Sequence, residues 1–231
     1  MYKFRRLNIK IKIKNMKFFI YTVSLAFIIS SMSAFGQSDP KSQKILDAVS
    51  KEIKGLNSFK MDFTMKVKNS ATGEDSEQSG TGYVQGDKYN AVLGDNEIMS
   101  NGIKVWTIVK EEKVVYQSDA DEEDEESINP KKLMTIWEEG FKNKYVKEDK
   151  VNGKEVHVIN LYPTNPGEVQ YHTITIYVGK ADNELLKAVM KTKDGSVITY
   201  TIKKFEKNID IPKDKFVFDQ RKYPGYQLIR D

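Results

Sequence analysis

Two histidines, one acidic run and a set of closely spaced glycines are the residues with which this chain could build reactive chemistry. His157 and His172 lie on separate predicted strands. The chain has no cysteine, so a zinc site would need both histidines together with carboxylates. A hydrolase would have to use one of them, yet no Gly-x-Ser-x-Gly turn exists to hold a nucleophile. Asp119 to Glu126 carries seven acids in eight residues, without the sixth-position glycine and ligand spacing of a calcium loop. It reads as a solvated loop. Gly80, Gly82 and Gly86 are wrongly spaced for a dinucleotide turn and open no helix. The expectation is a protein without catalytic residues, metal or cofactor, and therefore not an enzyme.

The remaining candidate chemistry is apolar binding. In Ser58-Phe-Lys-Met-Asp-Phe-Thr-Met-Lys-Val-Lys68, Phe59, Met61, Phe63, Met65 and Val67 fall on every second position. A strand sends alternate side chains to opposite faces, so this segment makes one apolar and one polar wall. On pattern alone, such a stripe is ordinary core.

Residues 1–36 read as an export signal. Met1–Lys17 holds seven basic residues and no acid, and Phe18–Ile29 is an apolar stretch too short to span a membrane. Ala34 and Gly36 are the small residues a signal peptidase inspects, which places cleavage near Gly36 and the mature domain at residues 37–231, in the periplasm. Seven of the 37 basic residues and none of the 33 acids precede Gln37, which leaves 30 basic residues against 33 acids. The positive charge therefore belongs to the signal and gives no support for nucleic-acid binding. Without cysteine, the cleavage site can carry no lipid and the fold no disulfide.

The elements that position the apolar wall are mostly strands. Asp39-Pro40 caps a helix predicted to run to Lys54, with Ile45, Leu46, Ala48, Val49 and Ile53 as its apolar stripe. About eleven strands follow, broken by turns such as Asn101-Gly102 and Asn152-Gly153. A second helix is predicted over Pro130–Glu139, with Leu133, Met134, Ile136 and Trp137 on one side. So long a meander cannot stay flat and must curl. Pattern alone does not decide whether it closes on its own side chains or leaves a pocket.

The segments resemble the LolA-like periplasmic carriers of outer-membrane lipoproteins, in their Bacteroidetes form. The resemblance spans nearly all of residues 39–231. It rests on the opening helix, Ser58-Phe-Lys-Met-Asp-Phe-Thr64, Ser79-Gly-Thr-Gly-Tyr-Val84 and the hairpin Ile98-Met-Ser-Asn-Gly-Ile-Lys-Val-Trp106. Glu125-Glu-Ser-Ile-Asn-Pro-Lys-Lys-Leu133 and Tyr223-Pro-Gly-Tyr226 complete it. It implies a mainly β (α+β) fold: an incomplete, strongly curved antiparallel β-barrel of about eleven strands, with two lid helices over the opening. It also implies a monomer that binds lipoprotein acyl chains inside. Cargo would come from an inner-membrane ATP-driven release complex and go to an outer-membrane receptor. A lipid-binding or envelope-stress-sensing protein of the same fold is the alternative.

On this resemblance the cavity is lined by Ile45, Val49, Phe59, Met61, Phe63, Met65, Tyr83, Ile98 and Trp106, with Leu133, Met134 and Trp137 on the lid. Relatives hold the lid with an arginine just before the turn after the second strand. Here that stretch is Val84-Gln-Gly-Asp-Lys88, and beyond residue 36 the only arginines are Arg221 and Arg230.

Overall fold

A computed structural model describes residues 38–120, 130 and 134–230. The expected export signal, most of the acidic run and Leu133 lie outside the described residues. Helix α1 (Pro40–Lys54) starts where the sequence places it. The Asp39 carboxylate accepts from the N–H groups of Lys41 (2.8 Å) and Ser42 (3.3 Å), and Pro40 takes the first helical position. Leu46 and Val49 on its inward stripe are fully buried, each contributing about 1.5–3 kcal/mol of transfer free energy.

Twelve strands form one sheet. They are β1 (Ser58–Asn69), β2 (Glu74–Gln85), β3 (Lys88–Leu93), β4 (Asn96–Ser100), β5 (Lys104–Val109), β6 (Val114–Asp119), β7 (Phe141–Val151), β8 (Lys154–Pro163), β9 (Tyr171–Gly179), β10 (Leu185–Thr192), β11 (Ser196–Lys207) and β12 (Gln227–Arg230). Their order is β12-β6-β5-β4-β3-β2-β1-β11-β10-β9-β8-β7. The chain thus makes two meanders, β1–β6 and β7–β11, sewn together where β11 pairs antiparallel with β1. The sheet curls so far that Val105 on β5 and Leu161 on β8 belong to the same apolar cluster. It does not close, because β12 and β7 stand at opposite ends of the order.

Two expectations change. There are twelve strands rather than eleven, since Gln227–Arg230 joins β6 in parallel after the tail has crossed the outside of the sheet. The expected second helix does not run unbroken to Glu139. Thr135 leaves helical dihedrals (φ −136°, ψ 18°), Ile136–Glu138 make a single 3-10 turn, and residues 131–133 are outside the described set. The Asn101-Gly102 hairpin forms as predicted, with Asn101 Oδ1 accepting from the N–H groups of Ile103 and Lys104.

The register fixes which side chains face inward. Phe59 lies opposite Val84, Met61 opposite Gly82 and Phe63 opposite Gly80. A Cβ on Gly80 would overlap the Phe63 ring, and one on Gly82 would meet Met61 Cε at 3.2 Å. Both glycines are there so that these two large side chains can lie across β2. Helix α1 covers the β7 side of the same face. Asn143 on β7 accepts from Ser42 Oγ (2.6 Å), donates to Gln43 Oε1 (2.6 Å), and accepts at its carbonyl from Asp39 N (3.0 Å). These bonds also occupy the first part of the β7 edge.

Candidate functional site

The helix leaves the β10–β11 side of the concave face uncovered. A narrow apolar hollow, open to solvent on one side, lies there. Its walls are Met61 and Phe63 on β1, Ile174 on β9, Leu185, Lys187, Ala188 and Met190 on β10, and Tyr200 and Ile202 on β11. Met134 and Ile136 roof it. Ala188, Met190, Tyr200 and Ile202 are only partly buried although they belong to the inward cluster, so this stretch of the sheet lacks a covering layer. Flexible thioethers from Met61, Met134 and Met190 give its wall an adaptable shape.

The roof is tied to α1. Trp137 Nε1 donates to Ser50 Oγ at 2.9 Å in a buried hydrogen bond, and Glu138 pairs with Lys54 at 2.8 Å. Pro130 packs over Gly82, where an added Cβ would meet Pro130 Cβ at 3.1 Å. Farther along, Lys207 Nζ sits between Glu52 of α1 (2.5 Å) and Glu184 of the β9–β10 turn (2.9 Å). Burial works against the Lys207 charge, but the two carboxylates outweigh it and raise its pKa. A narrower cleft beside Lys207 shares Met134 and Leu185 with the hollow.

The expected lining residues fall into three groups. Met61, Phe63 and Met134 line the hollow. Val49, Phe59, Ile98 and Trp137 are buried in the inward cluster, and Ile45 and Met65 pack against it half-buried. Tyr83 and Trp106 are on the other side of the sheet. Tyr83 lies opposite Lys60, one residue out of step with Gly80 and Gly82, and its ring is flanked by Lys215 (5.1 Å) and Lys60 (5.9 Å). Trp106 lies opposite Met99 and Gln117, donates to Gln117 Oε1 (3.1 Å), and stacks on Phe218 at 6.2 Å. It anchors a second apolar cluster with Met99, Ile108 and Val115, covered by Phe218, Tyr223, Tyr226 and Leu228 of the tail. The sequence reading passed over the β10–β11 wall, although Ala188/Met190 and Ile198/Tyr200/Ile202 alternate as plainly as β1.

The polar candidates are dispersed. His157 Nδ1 lies 3.3 Å from the Tyr145 hydroxyl, and His172 Nδ1 lies 2.9 Å from Thr173 Oγ1 at the surface. Burial pushes the His157 pKa down; Lys41 and Lys180 reinforce this, while Glu148 opposes it. Among the described residues no three His, Asp or Glu side chains gather as a metal site would require. The arrangement supplies an apolar enclosure with a mouth.

The family model described as outer membrane lipoprotein carrier protein LolA matches residues 54–219. No curated protein sequence matches the chain. Among solved structures, an uncharacterized conserved protein from Thermus thermophilus is similar at 12% identity and TM-score 0.56, over 83% of this chain and 99% of that one. Lipoprotein LppX from Mycobacterium tuberculosis is similar at 13% identity and TM-score 0.46, over 77% of this chain and 100% of that one. The LolA superfamily protein NE2245 from Nitrosomonas europaea is similar at 11% identity and TM-score 0.42, over 76% and 97%. With the carrier-family model matched across both meanders and the tail's first turn, the chain belongs to the LolA family.

Proposed function

We propose that the protein is a periplasmic carrier that holds the acyl chains of lipoproteins in the apolar hollow and ferries them from the inner to the outer membrane. The observation that carries this reading is the hollow itself: methionine, isoleucine and aromatic side chains around open space, with a mouth to solvent. Membership of a lipoprotein-carrier family supports the same assignment.

The energetics suit transfer rather than storage. Each methylene withdrawn from water is worth roughly 0.8 kcal/mol. A chain of about 16 carbons, fully buried, would gain on the order of 10 kcal/mol, too much for several chains to be released readily. A hollow open on one side buries only part of each chain and keeps binding reversible. On this reading an inner-membrane ATP-driven complex loads the carrier and an outer-membrane receptor unloads it, and the carrier works as a monomer.

Native mass spectrometry of the protein recovered from cells tests the cargo. Co-purified acylated protein supports the carrier. Free lipid alone points to a lipid-binding or sensing role, and an empty protein counts against both. In the functional assay, the protein is incubated with lipoprotein-loaded spheroplasts. The expected result is lipoproteins in the soluble fraction; their retention on the membrane would sink the carrier assignment.

A further inference from the structure

Among the described residues the hollow's lining holds one hydroxyl, that of Tyr200, and no other described side chain bonds to it. Three other tyrosines have hydroxyl partners: Tyr145 at His157, Tyr162 accepting from Asn160, and Tyr223 donating to Glu97 at 3.0 Å. Tyr200 makes ring contact with Phe63 (centroids 6.4 Å apart) but has no hydrogen-bond partner among the described residues. No side-chain oxygen or nitrogen among them is both sealed from solvent-sized space and unpaired, so the phenol reaches open space. Its residue lies opposite Met65 and Ala188, on the concave face. Burial alone raises its pKa, which matches an apolar setting without a neighbouring charge and keeps it a donor at neutral pH. A half-enclosed donor that only water reaches can exchange that water for an acceptor brought in by a ligand.

The charge around the hollow narrows what that acceptor is. Among the described residues Lys187 is the one charged residue in the lining, and its ammonium lies over Tyr177, 5.0 Å from the ring centroid. Tyr177 alternates with the inward Ile176 and Val178, so that charge is on the outer face. A carboxylate in the hollow would lose its water and meet one phenol, with no counter-ion among the described residues. A neutral ester or amide carbonyl loses far less and gains the same hydrogen bond.

We propose that Tyr200 is a specificity-determining residue that donates its hydroxyl to a neutral acyl carbonyl, so that the hollow prefers ester- or amide-linked chains to hydrocarbons and to ionised fatty acids. This rests on the lipid-binding reading above. It is tested by displacement of bound 1-anilinonaphthalene-8-sulfonate from the purified protein at pH 8, with methyl laurate, laurate and dodecane as competitors. The wild type is expected to bind methyl laurate most tightly. Tyr200→Phe, which keeps the ring and the packing, is expected to weaken methyl laurate by about 3- to 10-fold and leave dodecane unchanged. Unchanged methyl laurate binding in Tyr200→Phe, an equal loss for dodecane, or tighter binding of laurate than of its ester overturns the assignment. Binding of none of the three by the wild type removes the lipid-binding reading, and this inference with it.

Discussion

The ring of Phe63 fills the space a side chain on Gly80 would need, directly across the β1–β2 ladder. The glycine is thus one half of a two-residue fit, and the hollow's wall depends on it. Gly80→Ala should push the ring off β2 and cost about 1–3 kcal/mol, read as a lower urea midpoint. Adding Phe63→Leu should recover part of the loss. No recovery would mean that the strain lies elsewhere in the strand.

Trp137 and Ser50 provide the second test, because their buried hydrogen bond ties the roof to α1. Trp137→Phe and Ser50→Ala should each lower unfolding stability by about 1–2 kcal/mol. The double variant should lose less than the sum, since the two residues share one bond. Strict additivity in denaturant titrations would show that the bond does not couple them.

Trp106 separates stability from binding. Its removal should be costly, about 3–5 kcal/mol for Trp106→Ala, because the outer cluster and the tail above it lose their centre. The folded fraction should still bind an apolar probe with wild-type affinity. Met61→Glu should do the reverse of that pattern at the site, abolishing binding by placing an unpaired charge in the hollow wall. Loss of binding in folded Trp106→Ala would contradict the assignment of the two faces.

His157 makes stability depend on pH. Its folded pKa is depressed by burial, with Lys41 and Lys180 adding to the effect and Glu148 opposing it. The unfolded chain therefore binds the proton more readily. The stabilisation is present above about pH 6.5 and lost as pH falls through the folded pKa. An NMR titration should place the His157 midpoint below that of an unfolded reference. His157→Gln should flatten the fall in stability below about pH 6.5. A midpoint at or above the reference would remove this contribution.

Much of the sheet was legible because period-2 alternation and turn residues act locally. The β1 wall, the Asn101-Gly102 hairpin and the Asp39 cap all follow from neighbours in sequence. What escaped depends on partners far along the chain. Tyr83 is inward or outward according to the register with β1, where Gly80 and Gly82 already hold the inward positions. Trp106 sits in Val105-Trp-Thr-Ile108, apolar on both faces because the tail covers the outer one. The hollow was illegible for the same reason. It forms where α1 stops covering β10 and β11, and no local pattern records where a helix fails to reach.

The seam between β1 and β11 sets a timetable for the folding chain. Phe59 lies opposite Lys207 and Met65 opposite Tyr200, so one edge of the first strand stays bare until nearly the whole polypeptide is available. Long-range closure of this kind is slow and leaves unpaired, greasy edges exposed meanwhile. The strand that walls the hollow is thus itself unshielded until the last long strand arrives.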